Sequence, residues 1–313
     1  MDYYRSFAYA SSTKKCYRSF LKSYLHFCIS NNCAPVPISS HNLCRYIAHL
    51  ADRLSANSIP RYISVVNLLH KEGDVPCPSH NFMVSSLLKG IQRKKGTTVS
   101  RKLPITPHVL IRIKLSLNLN LQEDLIFWSI CVTMFFGFFR KGSLLHSNGV
   151  FKSSQHIRRQ DFTFHPWGIS VKVRHSKTIQ LQQRCLSVPL VALSNNNALC
   201  PVRALLLAFT STVGADLNGP PFVTCRHGLF SQFSPNLFST KLKHVLEKAG
   251  LPQHEYSGHS FRRGAATWAM EKGMPPDLIQ ILGDWKSDTY KIYIDLPLTS
   301  KVSLLQPYLP NFS

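Results

Sequence analysis

Apolar residues recur at helical spacing over positions 1–95, and the breaks between the runs are polar or carry proline. Residues 13–29 put Tyr17, Phe20, Leu21, Tyr24, Phe27 and Cys28 on one stripe, with Lys14, Lys15, Arg18 and Lys22 largely off it. That spacing predicts an amphipathic helix. A second helix is expected over 41–54, burying Leu43, Tyr46, Ile47 and Leu50. Asn57 or Ser58 caps a third, with Pro60 in its first turn and Tyr62, Ile63, Val66 and Leu69 inward. A fourth, over 82–92, has Phe82, Met83, Val84, Leu87 and Leu88 as its apolar members. The pattern then stops. Arg93, Lys94, Lys95, Arg101 and Lys102 stand among glycine and small polar residues without apolar periodicity, as at a domain boundary. The division expected is a helical domain over 1–95, a basic linker over 96–105 and a second domain over 106–313.

The second domain opens at Thr106-Pro107, a cap followed by a first-turn proline. Residues 122–139 are apolar on nearly every side, which predicts a central core helix. Arg140 emerges at its end, and the adjacent Lys141 is expected to be exposed. Over 161–189 the period changes to that of strands: Phe162 and Phe164, then Ile169, Val171 and Val173, then Cys185 and Val188. Three short antiparallel strands follow from this. A helix is expected from Cys200-Pro201 to Phe209, a loop over 212–221, and a basic amphipathic helix over 237–246 carrying Lys241 and Lys243. Residues 258–294 read as three short helices: one over 259–272, one after Pro275-Pro276, and one over 287–294. The fold class is mainly α with a small antiparallel β-sheet, a helical N-terminal bundle preceding an α+β domain.

Charge narrows the partners. Lys and Arg number 37 against 15 acidic residues, a formal net charge of +22. Spread along well-patterned segments, that excess points to nucleic acid. The longest apolar run, 125–139, ends in Arg140-Lys141 and is too short for a membrane span. The N-terminus lacks the basic-then-apolar form of a secretory signal. Nine dispersed cysteines without CxxC spacing fit reduced thiols in an intracellular protein. Cys225-Arg226-His227 has no second ligand pair at metal-binding spacing, so no metal is expected.

The densest chemistry lies in 258–294. His259 and Arg262, three apart, share a helix face, while Arg263 is rotated away. Near a helix start, such a pair suits an anion. The phenol of Tyr293 is a poor nucleophile at its ordinary pKa of about 10, but gains force against a phosphodiester whose oxygens are clamped by arginines. Taken alone, the spacing fits a capping histidine and a packing tyrosine as well.

His259-Ser260-Phe261-Arg262, then Leu282-Gly283, then Tyr293 ten residues after that glycine, resembles the C-terminal signature of the tyrosine recombinases, the phage-type integrases. The wording Gly283-Asp284-Trp285-Lys286-Ser287-Asp288 is most similar to recombinases of eukaryotic Crypton and DIRS mobile elements. Gly137-Phe138-Phe139-Arg140-Lys141-Gly142 resembles the motif around the family's first arginine. The resemblance implies a DNA-clamping N-terminal bundle and a catalytic domain that cuts and rejoins double-stranded DNA. Tyr293 would be the nucleophile, with Arg140 and Arg262 on the phosphate, His259 assisting proton movement and Trp285 packing against the phosphate site. Lys177, on a hairpin where Arg174 and His175 compete for the role, would be the general acid. Arg93, Lys94, Lys95, Arg101, Lys102, Lys241 and Lys243 would meet the DNA backbone. No cofactor, metal or small-molecule substrate is implied. A homo-oligomer is, a tetramer when two duplexes are paired, working in the nucleus. Two positions depart from the family pattern. Ser143 stands where a carboxylate is common, and Asp284 stands where a histidine or tryptophan commonly follows the glycine. Asp284 near a phosphate is unfavourable unless turned away, and Tyr290 competes with Tyr293. A DNA-binding protein that no longer cuts, a type IB topoisomerase and a structural RNA-binding protein stay open as alternatives.

Overall fold

The structure is a computed structural model and describes residues 2–5, 7–97, 101–146, 151–176, 179, 184–194 and 197–306. It divides into two compact units, Met1–Ser100 and Arg101–Ser313. Both are built mainly from helices, with small antiparallel sheets in the second.

In the first unit a short helix α1 (Asp2–Arg5) precedes α2 (Ser11–Ser30), α3 (Ser40–Arg53), α4 (Ile59–Glu72) and α5 (Phe82–Lys95). The stripe on α2 meets α3 through Tyr24 and Phe27, whose rings lie 5.2 and 5.1 Å from that of Tyr46. Helix starts are fixed locally. Ser39 accepts from the amide of Asn42, Asn81 accepts from Met83, and Pro60 occupies the first turn of α4. His70 is buried and links α4 to the α2–α3 connection. Its Nε2 accepts from the Ile38 amide at 3.0 Å while Nδ1 lies 2.8 Å from the Val66 carbonyl. Of the apolar members of α5, Phe82 is 84% exposed and Met83 is exposed. The buried side of α5 is set by Val84, with Leu87, Leu88 and Ile91 half-buried behind it. Phe82 and Met83, in the first turn, precede that stripe.

The second unit comprises α6 (Pro107–Leu115), α7 (Gln122–Phe136), α8 (Lys141–Leu144), β1 (Phe162–His165), β2 (Gly168–Val173), β3 (Leu186–Val191), α9 (Pro201–Thr210), β4 (Val223–Arg226), β5 (Leu229–Gln232), α10 (Pro235–Lys248), α11 (Gly258–Glu271), α12 (Pro276–Leu282) and α13 (Leu298–Leu305). Helix α7 is its axis, with every residue from Leu125 to Phe135 buried. Phe127 packs 5.1 Å from Phe238 of α10, which packs 5.9 Å from Phe261 of α11. Phe135 reaches Trp268 of α11 at 5.7 Å. The strands β1, β2 and β3 form one antiparallel sheet in that order, with Val171 opposite both Phe162 and Val188.

The structure corrects one expectation, the exposure of Lys141, and adds the hairpin β4–β5 to the elements expected. The hairpin's two-residue turn, His227-Gly228, has φ of 51° and 76°, the left-handed pair that a tight hairpin requires. The last short helix of 258–294 is a 3₁₀ segment, Asp288–Tyr293, rather than an α-helix. Lys141 is half-buried, donating to Ser239 Oγ at 2.7 Å and to the Pro235 carbonyl. Residues 101–105, the second half of the expected linker, pack within the second unit. The Leu103 amide donates to the Glu255 carbonyl at 2.7 Å, and Ile105 to Ser260 at 2.9 Å. Gly264 allows this approach, since a Cβ there would sit 1.8 Å from the Ile105 carbonyl oxygen. Among the described residues, no helix is long and apolar enough to cross a membrane.

Candidate active site

The site is built on the first turn of α11. Ser257 Oγ accepts from the His259 amide at 3.2 Å, and Ser260 Oγ accepts from the Ser257 amide at 3.0 Å. This reciprocal cap fixes where the helix begins, and with it the face shared by His259 and Arg262. His259 is exposed at the rim and Arg262 is 3% exposed behind it.

Arg262 is held from two sides. One Nη donates to the Phe138 carbonyl and the other to the Gly283 carbonyl, while Nε is buried without a partner among the described residues. Phe138 has φ of 53°, a costly conformation for an aromatic residue. Trp285 lies flat against the guanidinium, with Cζ 3.9 Å from the ring centroid, a favourable cation–π contact. Glycine at 283 lets the indole in, because a Cβ there would fall 1.6 Å from Cζ3 of Trp285.

Tyr293 completes the row. Its ring lies 5.5 Å from that of Trp285 and its centroid 6.0 Å from Arg262 Cζ. Its phenol oxygen is 3.0 Å from His259 Nε2. An unprotonated Nε2 accepts the phenolic proton at this distance. Tyr290, the competing phenol, is 3% exposed and packs against Trp285 at 6.2 Å.

Arg140 sits half-buried at the N-terminus of α8, and the described residues offer its side chain no hydrogen bond or ion pair. It lines one shallow cleft with Arg262, Ser143, Ser176, Gly283 and Asp284. Burial, and then the charge of Arg140, push the Arg262 pKa down to about 9, against weaker opposing pulls from Tyr293 and Asp284. The guanidinium stays charged at neutral pH. Burial is the larger cause of the depression and the neighbouring cation the second, an environment in which an anion would be favourable.

Asp284 lines the same cleft but has other partners. Its carboxylate takes Arg184 as an ion-pair partner and accepts from Ser176 Oγ at 3.4 Å, and its backbone has φ of 50°. Arg174 is also engaged, donating through both Nη atoms to Asp161, which Arg158 contacts as well. Lys177 lies outside the described residues.

The basic residues assigned to a polyanion are divided between the two units. Arg93, Lys94 and Lys95 are exposed in the last turn of α5, with Lys95 Nζ donating to the Ala51 and Leu54 carbonyls. In the other unit Arg101 and Lys102 are exposed but donate to the Ile292 and His254 carbonyls. Lys243 is exposed on α10. Lys241 instead faces α7, with Nζ 2.7 Å from Glu123 and 2.6 Å from Asp124. Burial would lower its pKa, but these two carboxylates outweigh that and raise it. The first-turn acids that complement the α7 dipole therefore claim this lysine, a pairing invisible in the local pattern of α10.

Residues 171–297 match the Phage integrase family. The chain is 26% identical over 267 residues to the integrase/recombinase xerD homolog of Selenomonas ruminantium, covering 84% of this chain and 74% of that protein. Its fold is similar to that of the Tn1549 transposon integrase (residues 82–397) solved with transposon right end DNA. That likeness has a TM-score of 0.64 at 14% identity, over 96% of this chain and 94% of the other. It is also similar to lambda integrase 75–356, solved as a dimer on a COC′ core site, with a TM-score of 0.61 at 16% identity, over 94% and 92%. The XerA recombinase is similar over 99% and 97% of the two chains, with a TM-score of 0.51 at 19% identity.

Proposed function

We propose that this chain is a tyrosine recombinase that cleaves and rejoins double-stranded DNA at specific sites through Tyr293, a reading supported by the match of residues 171–297 to the Phage integrase family and by the similarity to the integrase/recombinase xerD homolog. The observation that carries the reading is the 3.0 Å separation of the Tyr293 phenol from His259 Nε2, beside Arg262 and the cleft that it shares with Arg140. His259 takes the phenolic proton as the tyrosine oxygen attacks the scissile phosphorus. The bond from phosphorus to the 5′-oxygen breaks, leaving a 3′-phosphotyrosyl link. The 5′-oxygen leaves with a proton, for which Lys177 is the donor. Arg140 and Arg262 hold the non-bridging oxygens, whose charge grows in the transition state. Trp285 keeps Arg262 in its plane. The phosphotyrosyl bond conserves the phosphodiester's energy, so the reverse attack by a 5′-hydroxyl rejoins a strand without nucleotide or metal.

Exchange between two duplexes requires four such tyrosines, hence a tetramer on DNA. The backbone contacts fall to Arg93, Lys94, Lys95, Arg101, Lys102 and Lys243, and Lys241 contributes only if its carboxylate partners release it. The Gly283–Asp288 wording supports kinship with Crypton and DIRS mobile elements, and so recombination in a nucleus. Ser143 and Asp284 support a second reading, a protein that binds DNA without cutting it. Nicked suicide duplexes of randomised sequence decide between them on denaturing gels. The cleavage reading requires a covalent adduct whose peptide maps to Tyr293, absent in Tyr293→Phe and retained in Tyr290→Phe. Specific binding without adduct establishes the second reading, and relaxation without site preference a topoisomerase.

A further inference from the structure

Arg263 and Thr267, one turn apart on α11 and both buried, are not part of the phosphate site, yet both are engaged with the tyrosine segment. Thr267 Oγ1 donates to the Tyr293 carbonyl at 3.4 Å and accepts from the Asp295 amide at 3.0 Å. One Nη of Arg263 donates to Asp295 Oδ2 at 2.9 Å, and the other donates to the Lys102 carbonyl. Arg101 reaches the Ile292 carbonyl at 3.5 Å. The backbone just after the phenol is thus tied to α11 and the carbonyl just before it to Arg101, while the Arg263 guanidinium also grips the 101–105 segment.

We infer that Arg263, Thr267 and Asp295 form an anchor that positions Tyr293 against His259, and that Arg263 couples this anchor to the linker backbone at Lys102. The inference rests on the reading of Tyr293 as nucleophile. Its physical basis is the 3₁₀ segment Asp288–Tyr293, whose cap donates back only to Lys291. Such a short segment does not hold its own register, so the orientation of the phenol comes from what clasps the chain after it. α11 carries His259 and Arg262 as well as the anchor residues Arg263 and Thr267, so a single rigid element sets both partners of the 3.0 Å contact.

Thr267→Val keeps the shape of a buried side chain and deletes both hydrogen bonds, while Thr267→Ser keeps the hydroxyl. Asp295→Ala removes a half-exposed carboxylate whose loss does not threaten folding. Two measurements on the full chain test the anchor. In DNA-free hydrogen exchange, Thr267→Val and Asp295→Ala should speed exchange over 288–296 by about tenfold, with α7 unchanged. On nicked randomised-sequence duplexes, the adduct rate at saturating DNA should fall by about 10–100-fold, as for an angstrom-scale misplacement. The DNA concentration for half-saturation should stay fixed, and Thr267→Ser should recover the rate. Unchanged exchange over 288–296 overturns the anchor whatever the DNA result. Faster exchange with an unchanged adduct rate overturns its positioning role. Faster exchange in a chain whose wild type forms no adduct upholds the clasp and removes the cleavage reading instead.

Discussion

Replacing Gly283 with alanine tests the stacked row most directly. Gly283 has φ of −82° and ψ of −2°, a conformation alanine adopts freely, so the perturbation is steric alone. The new Cβ would lie 1.6, 2.0 and 2.5 Å from three ring atoms of Trp285. To restore ordinary contact the indole must retreat by roughly 2 Å. The indole is 6% exposed and packed against Phe138, Tyr290 and Tyr293, so its retreat disturbs that packing. Overpacking of this kind costs about 1–3 kcal/mol, and losing the stack on Arg262 adds about 0.5–2 kcal/mol. For a domain of this size the melting temperature should fall by roughly 5–15 °C. Because the Gly283 carbonyl also accepts from Arg262, the guanidinium shifts with it, and the adduct rate at saturating DNA should fall about 100-fold. Trp285→Ala removes every atom the new Cβ meets. The double variant should therefore be less damaged than the sum of the singles by about 1–3 kcal/mol. Calorimetry and suicide-substrate kinetics on the four proteins complete the cycle. Strict additivity, or a Gly283→Ala protein with wild-type melting and rate, would refute the argument.

Two further outcomes concern pH. The His156 pKa is lowered to about 4 by burial first, then by His146, His175 and Lys152, and its Nδ1 accepts from the Lys152 amide. The unfolded chain then binds the extra proton near pH 6.5, so stability should drop as pH falls from about 6.5 to 4. His156→Asn should flatten melting temperature against pH over that window, and an identical slope in both proteins counts against the assignment. For Asp161, burial alone would raise the pKa, but the hydrogen bonds from Arg174 and Arg158 outweigh it and hold the carboxyl below its usual range. Its contribution is present above the ordinary carboxylate pKa and lost as pH falls through the folded value. Asp161→Asn should therefore cost about 3–5 kcal/mol at pH 7, with the two denaturation curves converging in acid.

What the sequence disclosed follows from how local each cause is. Helix α7 was readable because a run apolar on all sides has one stable location, the centre of a core. The stripes of α2 and α3 were readable for the same reason at half coverage. Hairpin β4–β5 was not, because its left-handed turn uses His227 where asparagine or aspartate is the familiar signal; the Gly228 beside it was the available clue. Within the site, helical spacing sufficed to pair His259 with Arg262. Nothing in spacing indicated that Lys241 would be claimed by the first turn of α7, that Lys141 would turn to Ser239, or that Arg263 would be buried against Asp295. Those depend on partners more than thirty residues away or on burial that only the packed core imposes.

Arg140 and Arg262 share one cleft, and the described residues give neither of them a salt bridge. If the cleft takes a phosphate as proposed, the bound anion would relieve their repulsion in the folded state alone, so the DNA-engaged molecule would be the more resistant to unfolding.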